Sequence, residues 1–319
     1  MPGKIAVIIP CHNEEATVRE VVKGFRSELP DADIYVFDNN STDNTARVAA
    51  IAGATVVVER RQGKGFVVQS TFRMIDADCY VLADGDAQHP SAAVHALIEP
   101  ITAGEADMVV GTRIVDGSRT GSKLLNSFGN FVVLRILNSM FRSRLTDILS
   151  GYRTFNRRFV NSVPLFGGGF EIEAELTVKA LKRGFRILEV PIESAKRPDG
   201  SSSKIHLLRD GFLILNTILG LFRDYHPLTF FGSGGIVLAI LAIFTGAYAI
   251  WFSRSDVSIR IALVVVSAAL GLGSMLAVAV GLILHSIARR GQELDHQIQR
   301  LNDRLLDTHT VGSQSSTAR

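Results

Sequence analysis

Residues 4–38 read KIAVIIPCHNEEATVREVVKGFRSELPDADIYVFD, and the order of character along them decides the fold. An apolar run, Lys4–Pro10, is broken by proline and gives way to the polar cluster Cys11–Glu15. A stretch with helical spacing follows over 14–28, then a second apolar run, Asp33–Asp38, that again ends on polar residues. Strand, helix, strand, with the strands apolar at successive rather than alternate positions, describes a parallel pair covered on both faces.

The pattern recurs. "TVVVE" (55–59), "CYVLAD" (79–84), "DMVVGT" (107–112) and "FRILEVPI" (185–192) read as strands, and "NTARVAAIAG" (44–53) and "GKGFVVQSTFRMI" (63–75) as helical segments. The expectation is one α/β domain over residues 1–204 with a mostly parallel, Rossmann-like sheet. Ligands of such sheets bind beyond the carboxyl ends of the strands. That rule gathers the polar clusters after "VIIP", "YVF", "VLA" and "VVG" onto one edge.

The second half differs in composition. Tyr225–Ser253 and Ile261–Ala288 contain no Asp, Glu, Lys or Arg, and each exceeds the roughly 20 apolar residues that cross a hydrocarbon core. With the short polar turn 254–260 between them, they predict a transmembrane hairpin over 225–290, with spans at about 227–252 and 261–287. Ahead of it, 205–224 carries His206, Arg209, Asp210 and Arg223 around an apolar stretch, as an amphipathic helix at the membrane interface would. A polar tail, 291–319, follows; Leu294, Ile298, Leu301 and Leu305 at helical spacing could pair two copies, and its closing residues have the composition of disordered chain. Arginines at 209, 223, 289, 290 and 300 flank the spans against two in the turn. The positive-inside rule therefore places both termini and the catalytic domain in the cytoplasm, at the inner membrane. No secretory leader is read at the N-terminus. Cys11 and Cys79 offer no disulfide framework, and a net charge of +3 without a basic stripe argues against nucleic acid as a partner.

Three clusters carry chemistry. In "VLADGDAQHP" (81–90), Asp84 and Asp86 flank Gly85, which permits close backbone approach; two hard oxygen donors, with the Gln88 amide as a third, suit Mg²⁺ or Mn²⁺. A plain acidic turn is the alternative. In "FDNNSTDNT" (37–45), Ser41, Thr42 or Asp43 can cap the next helix, but capping leaves Asp38 at the strand tip unexplained. "PCHNEE" (10–15) presents His12, Asn13 and Glu14 after Pro10, and "GKG" (63–65) suits an anion-binding turn opening a helix. Neither the full P-loop spacing nor a G-x-G-x-x-G is present, which counts against a P-loop nucleotidase and a dinucleotide oxidoreductase.

"VIIPCHNEEATV", "FDNNSTDNT", "GKG", "DGDAQHP", "VVGTR", "DILSGYRTF", "FEIEAE" and "VPIESAKRPDGSSSK" occur in the order found in family 2 glycosyltransferases of GT-A fold. The chain resembles in particular the polyprenyl-phosphate glycosyltransferases, the group that includes dolichyl-phosphate mannose and glucose synthases. The resemblance implies that Asp84, Asp86 and Gln88 hold the divalent metal and donor diphosphate. It places Pro10, His12, Glu14 and Asp38 around the nucleotide, with Lys64 in the same nucleotide-sugar set. Arg113, Ser150 and Arg153 match groups that hold the acceptor phosphate, as do Arg197, Ser203 and Lys204 of the "RPDGSSSK" loop. Asp86, Arg113 and Arg153 are the catalytic set it implies, and Glu173 matches the glutamate of a Q-x-E motif in which Glu171 replaces the glutamine. His12 stands where tyrosine is usual and Asn39 where a second aspartate is usual, which leaves the base open.

The expected reaction is transfer of a hexose from a nucleotide sugar to undecaprenyl or dolichyl phosphate, with inversion. UDP-glucose or UDP-N-acetylglucosamine is favoured over GDP-mannose. A phosphate monoester, with a second pKa near 6, is largely ionised at neutral pH; it needs cations to position it rather than a strong base. The competing readings are a membrane-anchored enzyme elongating a glycolipid or polysaccharide, and an inactive membrane scaffold.

Overall fold

A computed structural model describes residues 3–113, 134–135, 137–139, 141, 143–169, 171–193, 216, 219–220, 222–224, 226–251 and 257–316, with side chains inside α-helix 257–316 described as far as residue 291. The expected loop residues Arg197, Ser203 and Lys204 and most of the segment 205–224 lie outside the described residues. The chain divides into two units, Met1–Ile218 and Leu219–Arg319.

In the first unit each of the six apolar runs expected as strands becomes one. These are β1 (Ile5–Cys11), β2 (Asp33–Asp38), β3 (Thr55–Val58), β4 (Cys79–Leu82), β5 (Met108–Arg113) and β7 (Ile187–Ile192), joined by one strand that the pattern did not announce, β6 (Arg153–Asn156). The sheet order is β3-β2-β1-β4-β6-β5-β7. β1, β2, β3 and β4 run parallel to one another, β6 lies antiparallel between β4 and β5, and β5 and β7 are again parallel. The sheet is therefore mixed but mostly parallel, with the carboxyl ends of β1, β2, β4 and β5 and the amino end of β6 on one edge.

The helices of this unit are α1 (Val18–Glu28), α2 (Thr45–Ile51), α3 (Lys64–Met74), α4 (Val94–Thr102), α5 (Arg157–Ser162) and α6 (Ile172–Lys182). β1 explains why both faces must be covered. Val7, Ile9 and Cys11 enter a core with Val21, Val22 and Phe25 of α1, whereas Ala6 and Ile8 enter a second core with Val67 of α3, Phe159 of α5 and Leu176 of α6. A strand buried on both sides has no polar position to spare, hence its unbroken apolar sequence. β1 also runs through Pro10, which the sequence suggested would end it. Pairing with β4 stops at Ile8, so Pro10 lies at the strand's end with β2 as its only neighbour, where a missing N–H is tolerated.

The second unit contains α7 (Pro227–Trp251) and α8 (Val257–Ser316). α7 and residues Val257–Gly291 of α8 are each long and apolar enough to cross a membrane, in keeping with the hairpin expected from sequence. Small residues line their contact: a Cβ on Gly235 would meet Val278 Cγ2 at 3.0 Å and the Ser274 carbonyl at 3.2 Å. Ser267 Oγ donates to the Ala242 carbonyl at 2.7 Å. Such close approach is what drives helix pairing where no hydrophobic effect operates. Beyond the apolar part α8 continues as helix to Ser316, correcting the expectation of disorder for most of the closing segment. Extending a formed helix by one residue fixes one residue for one hydrogen bond, and the helix carries on through Gly291 and Gly312.

Gly235→Leu should separate α7 from α8. With cysteines introduced by Ala242→Cys and Ser267→Cys, oxidative cross-linking within the chain should be efficient in the parent and fall several-fold with the leucine.

Candidate active site

Three loops at the carboxyl edge of the sheet build the site. The loop after β1 carries His12 and Glu14, the loop after β2 follows Asp38, the last residue of that strand, and the loop after β4 carries Asp84 and Asp86. Among the described residues, the non-glycine residues with left-handed backbone are Asn13, Asn40 and Ala87, one in each of these loops. Such strain concentrates at sites where the surrounding structure over-determines the backbone.

The loops are laced together. Thr17 Oγ1 donates to the Gly85 carbonyl at 2.6 Å, and the Glu14 N–H donates to Thr45 Oγ1 at 2.8 Å. Gly85 is required where it stands, since a Cβ there would lie 2.4 Å from Cys11 Sγ. Asp43, one of the expected caps, accepts from the Thr45 N–H at 2.9 Å at the start of α2 and from the Glu15 N–H at 3.2 Å.

At the centre is Lys64, the first residue of α3, whose side chain is only 8% exposed. Its Nζ lies 2.5 Å from Asp84 Oδ1 and 2.7 Å from Glu173 Oε1 on α6. Removing a lone ammonium from water costs several kcal/mol. Burial accordingly lowers the Lys64 pKa, but Asp84 and Glu173 outweigh it and raise the pKa overall, so the ammonium stays charged. Among the described residues, the second oxygen of Glu173 is buried without a hydrogen-bond partner, and so is Oδ1 of Asp38, a residue 8% exposed. Two buried carboxylate oxygens of this kind have acceptor capacity that a ligand's donors could fill.

Residues that the sequence did not mark complete the surroundings of Asp84. His89 Nδ1 accepts the Asp84 N–H at 3.1 Å, and the His89 ring stacks on Tyr152 at 4.9 Å. Only the tertiary structure could reveal that pairing, because Tyr152 comes from the segment entering β6. Gly151 closes the site: a Cβ there would stand 2.6 Å from both Asp84 Oδ2 and Lys64 Nζ.

The acidic turn fits a divalent cation in the chemistry of its donors. Asp84, Asp86 and the Gln88 amide are hard oxygen donors, and the Gln88 N–H returns to Asp86 Oδ1 at 3.2 Å, fixing the turn. Among the described residues no group of three His, Cys, Asp or Glu side chains forms a cage. Two carboxylates and an amide suit a cation of the Mg²⁺ type, which keeps several coordination positions for water and substrate phosphate.

Arg153 and Ser150 require a correction. Both were expected on the acceptor phosphate, yet Arg153 is 0% exposed and Ser150 1% exposed. Arg153 Nε donates to the Ser150 carbonyl at 2.8 Å, one terminal nitrogen to the Ile148 carbonyl at 2.7 Å and the other to Thr177 Oγ1 at 2.9 Å. Ser150 Oγ donates to the Gly111 carbonyl at 2.6 Å. The cause is β6: Arg153 pairs with Leu82 on one side and Val110 on the other, so its side chain enters the core beneath the site. Burial pushes its pKa down to about 10, against the opposing pull of Glu173, Asp147 and Glu189, so it remains a cation at neutral pH. Arg113 closes β5 at the same edge, paired in register with Ile192.

Glu59, just beyond β3, receives Arg61 through Nε at 3.1 Å and through a terminal nitrogen at 3.0 Å, and also the hydroxyl of Ser70. These bonds, the Arg61 side chain first, lower its pKa from 4.5 to about 2.

Arg153→Met should lower stability by about 2 kcal/mol or more, because the buried Ser150 and Ile148 carbonyls lose their donor. Its effect on acceptor affinity in the folded fraction should be small. A carboxylate with a depressed pKa adds stability that is complete above pH 4.5 and is lost as pH falls towards 2. Denaturant titrations of Glu59→Gln should therefore show less acid destabilisation than the parent in that window, and lower stability at neutral pH.

Residues 6–163 match the profile of Glycosyl transferase family 2. The chain is 33% identical to glycosyltransferase AglJ of Haloferax volcanii, over 80% of this chain and 84% of that protein. It is 27% identical to a dolichyl-phosphate hexose transferase of the same organism, over 60% of this chain and 83% of that protein. Glucosyl-3-phosphoglycerate synthase from Mycobacterium tuberculosis, solved with Mn²⁺ and uridine-diphosphate-glucose, superposes with a TM-score of 0.58 at 25% identity, covering 69% of this chain and 79% of that one. A mixed, mostly parallel sheet of GT-A type, an acidic turn at its carboxyl edge and an apolar helix pair thus meet in one chain, and the chain belongs to glycosyltransferase family 2.

Proposed function

We propose that the protein transfers one hexose from a nucleotide sugar, a UDP-sugar in preference to GDP-mannose, to a polyprenyl phosphate. The observation that carries this reading is the buried triad of Lys64 between Asp84 and Glu173, flanked by Asp86 and by the orphaned Oδ1 of Asp38. An anionic donor needs a cation at its diphosphate, and its base needs a polar partner of fixed direction. Lys64 and Asp38 supply these from adjacent loops.

Asp38 accepts an N–H from the base, with Pro10, His12 and Glu14 around it. Asp84, Asp86 and Gln88 would hold Mg²⁺ or Mn²⁺, which when bound would stabilise the charge of the departing nucleoside diphosphate. Glu173 offers its second oxygen to a hydroxyl of the sugar. The acceptor phosphate, already ionised, is held by Arg113 and by Arg197, Ser203 and Lys204, and attacks the anomeric carbon in line. Its oxygen forms the new bond while the nucleoside diphosphate leaves with the bonding pair, so the configuration inverts. Ser150 and Arg153 act from below, by holding β6 and with it Gly151 against Asp84. The hairpin of α7 and α8 anchors the enzyme beside its lipid acceptor, with the catalytic domain and both termini on the cytoplasmic side. The similarity to a dolichyl-phosphate hexose transferase supports a lipid phosphate as acceptor. The uridine-diphosphate-glucose held by the solved relative supports a UDP-sugar as donor.

Purified full-length protein incubated with Mn²⁺, radiolabelled UDP- or GDP-sugars and polyprenyl phosphate should give a labelled product in the organic phase, best with a UDP-sugar. No organic-phase product with any donor would overturn the reading. Asp86→Ala should reduce turnover by about a hundredfold or more, and full activity in that variant would remove the metal assignment.

A further inference from the structure

Asn39 lies beside the residues assigned to the donor, is 4% exposed, and has every polar group committed. Its N–H donates to the Cys11 carbonyl at 2.8 Å, and its own carbonyl accepts His12 Nδ1–H at 2.9 Å. Its side-chain Nδ2 donates to two carbonyls, Glu59 at 2.9 Å and Arg61 at 2.7 Å, while Oδ1 accepts the Gly63 N–H at 2.7 Å. The partners fix the orientation of the amide. Two carbonyls can face only the NH₂ end, and an N–H can face only the oxygen.

The side chain therefore joins the end of β2 to the turn between β3 and α3, while the main chain of the same residue holds the end of β1. Gly63, which it holds, has φ 134°, a backbone that other residues avoid. On its far side Gly63 abuts the loop before α6: a Cβ would fall 2.0 Å from the Gly168 carbonyl, and the Gly65 N–H donates to that same oxygen at 3.1 Å. Lys64 sits between these two glycines, so its reach to Asp84 and Glu173 depends on a turn clamped by Asn39 from one side and by Gly168 from the other.

We propose that Asn39 is a positioning residue for the nucleotide site, its side chain acting through Gly63 and Lys64, and that the 59–63 turn of this chain requires the donor capacity of an amide where an aspartate is usual. The assignment rests on the nucleotide-sugar reading above for its effect on binding, but not for the latch itself. An aspartate here would bring a carboxylate against two carbonyl oxygens with no hydrogen to offer. Its protonated form would recover one donor, so the defect should depend on pH. The titratable and charged groups on the joined segments are His12, Asp38, Glu59, Arg61 and Lys64; they are common to both proteins, and a ratio of variant to parent isolates the new carboxyl.

The test is calorimetric titration of full-length protein with UDP in the presence of Mn²⁺ from pH 5.5 to 8.5, comparing parent and Asn39→Asp. At the alkaline end the variant should bind about tenfold more weakly or worse, and the ratio should close as pH falls. Equal affinity throughout, or a deficit of constant size across the range, would overturn the proposal. Asn39→Ser, a smaller perturbation, covers the case in which Asn39→Asp does not fold. In the nucleotide-free protein its amide exchange should accelerate in peptides covering residues 59–66 and stay unchanged in those covering 153–162; unchanged exchange in both would equally overturn the latch. A parent protein that binds no UDP would count against the nucleotide reading, leaving the exchange measurement to decide on Asn39.

Discussion

One buried ammonium holds this site together. Without Lys64, the carboxylates of Asp84 and Glu173 would face each other across a partly buried space, each disfavouring the other's charge. With Lys64 between them at 2.5 and 2.7 Å, the end of β4, the start of α3 and the start of α6 are fixed to one point. The desolvation of the lysine is offset only because both contacts are short and neither partner is fully exposed. Loss of either carboxylate would leave the other pair as the sole compensation for a buried charge.

The architecture around that point is a compromise between packing and chemistry. A purely parallel sheet would place only strand carboxyl ends at the edge. Inserting β6 antiparallel brings an amino end there as well, and with it Gly151 and Tyr152. Gly151 lets Asp84 and Lys64 approach closely, and Tyr152 supports the His89 ring that accepts the Asp84 N–H. The cost is a charged residue, Arg153, inside the sheet, and it is met by two carbonyls and a threonine hydroxyl rather than by solvent.

Much of this was legible in the sequence. The apolar runs marked six of the seven strands described; in the central ones, such as β1 and β4, burial on both faces leaves a local signature at successive positions, whereas β3 and β7 are part-exposed strands at the sheet's edges. The charge-free stretches likewise marked the two long apolar helices, and "GKG" marked the opening of α3. β6 was not legible. It is four residues long, opens on arginine and ends on asparagine, and its membership in the sheet is decided by β4 and β5, not by its own composition. For the same reason "SGYR" could pass for an exposed phosphate-binding loop. The roles of His89 and Asn39 were not legible because their partners, Tyr152 on one hand and the Glu59–Gly63 turn on the other, are distant or carry only backbone groups.

By itself, then, the sequence determined the α/β alternation, the apolar helix pair and the cluster of hard oxygen donors at residues 84–88, since each follows from local periodicity or from residue chemistry. Only the tertiary structure decided which charges meet. Lys64 faces Asp84 and Glu173 while Arg153 turns into the core, and that sorting depends on strand order and on which groups lose their water, neither of which is encoded within any one segment.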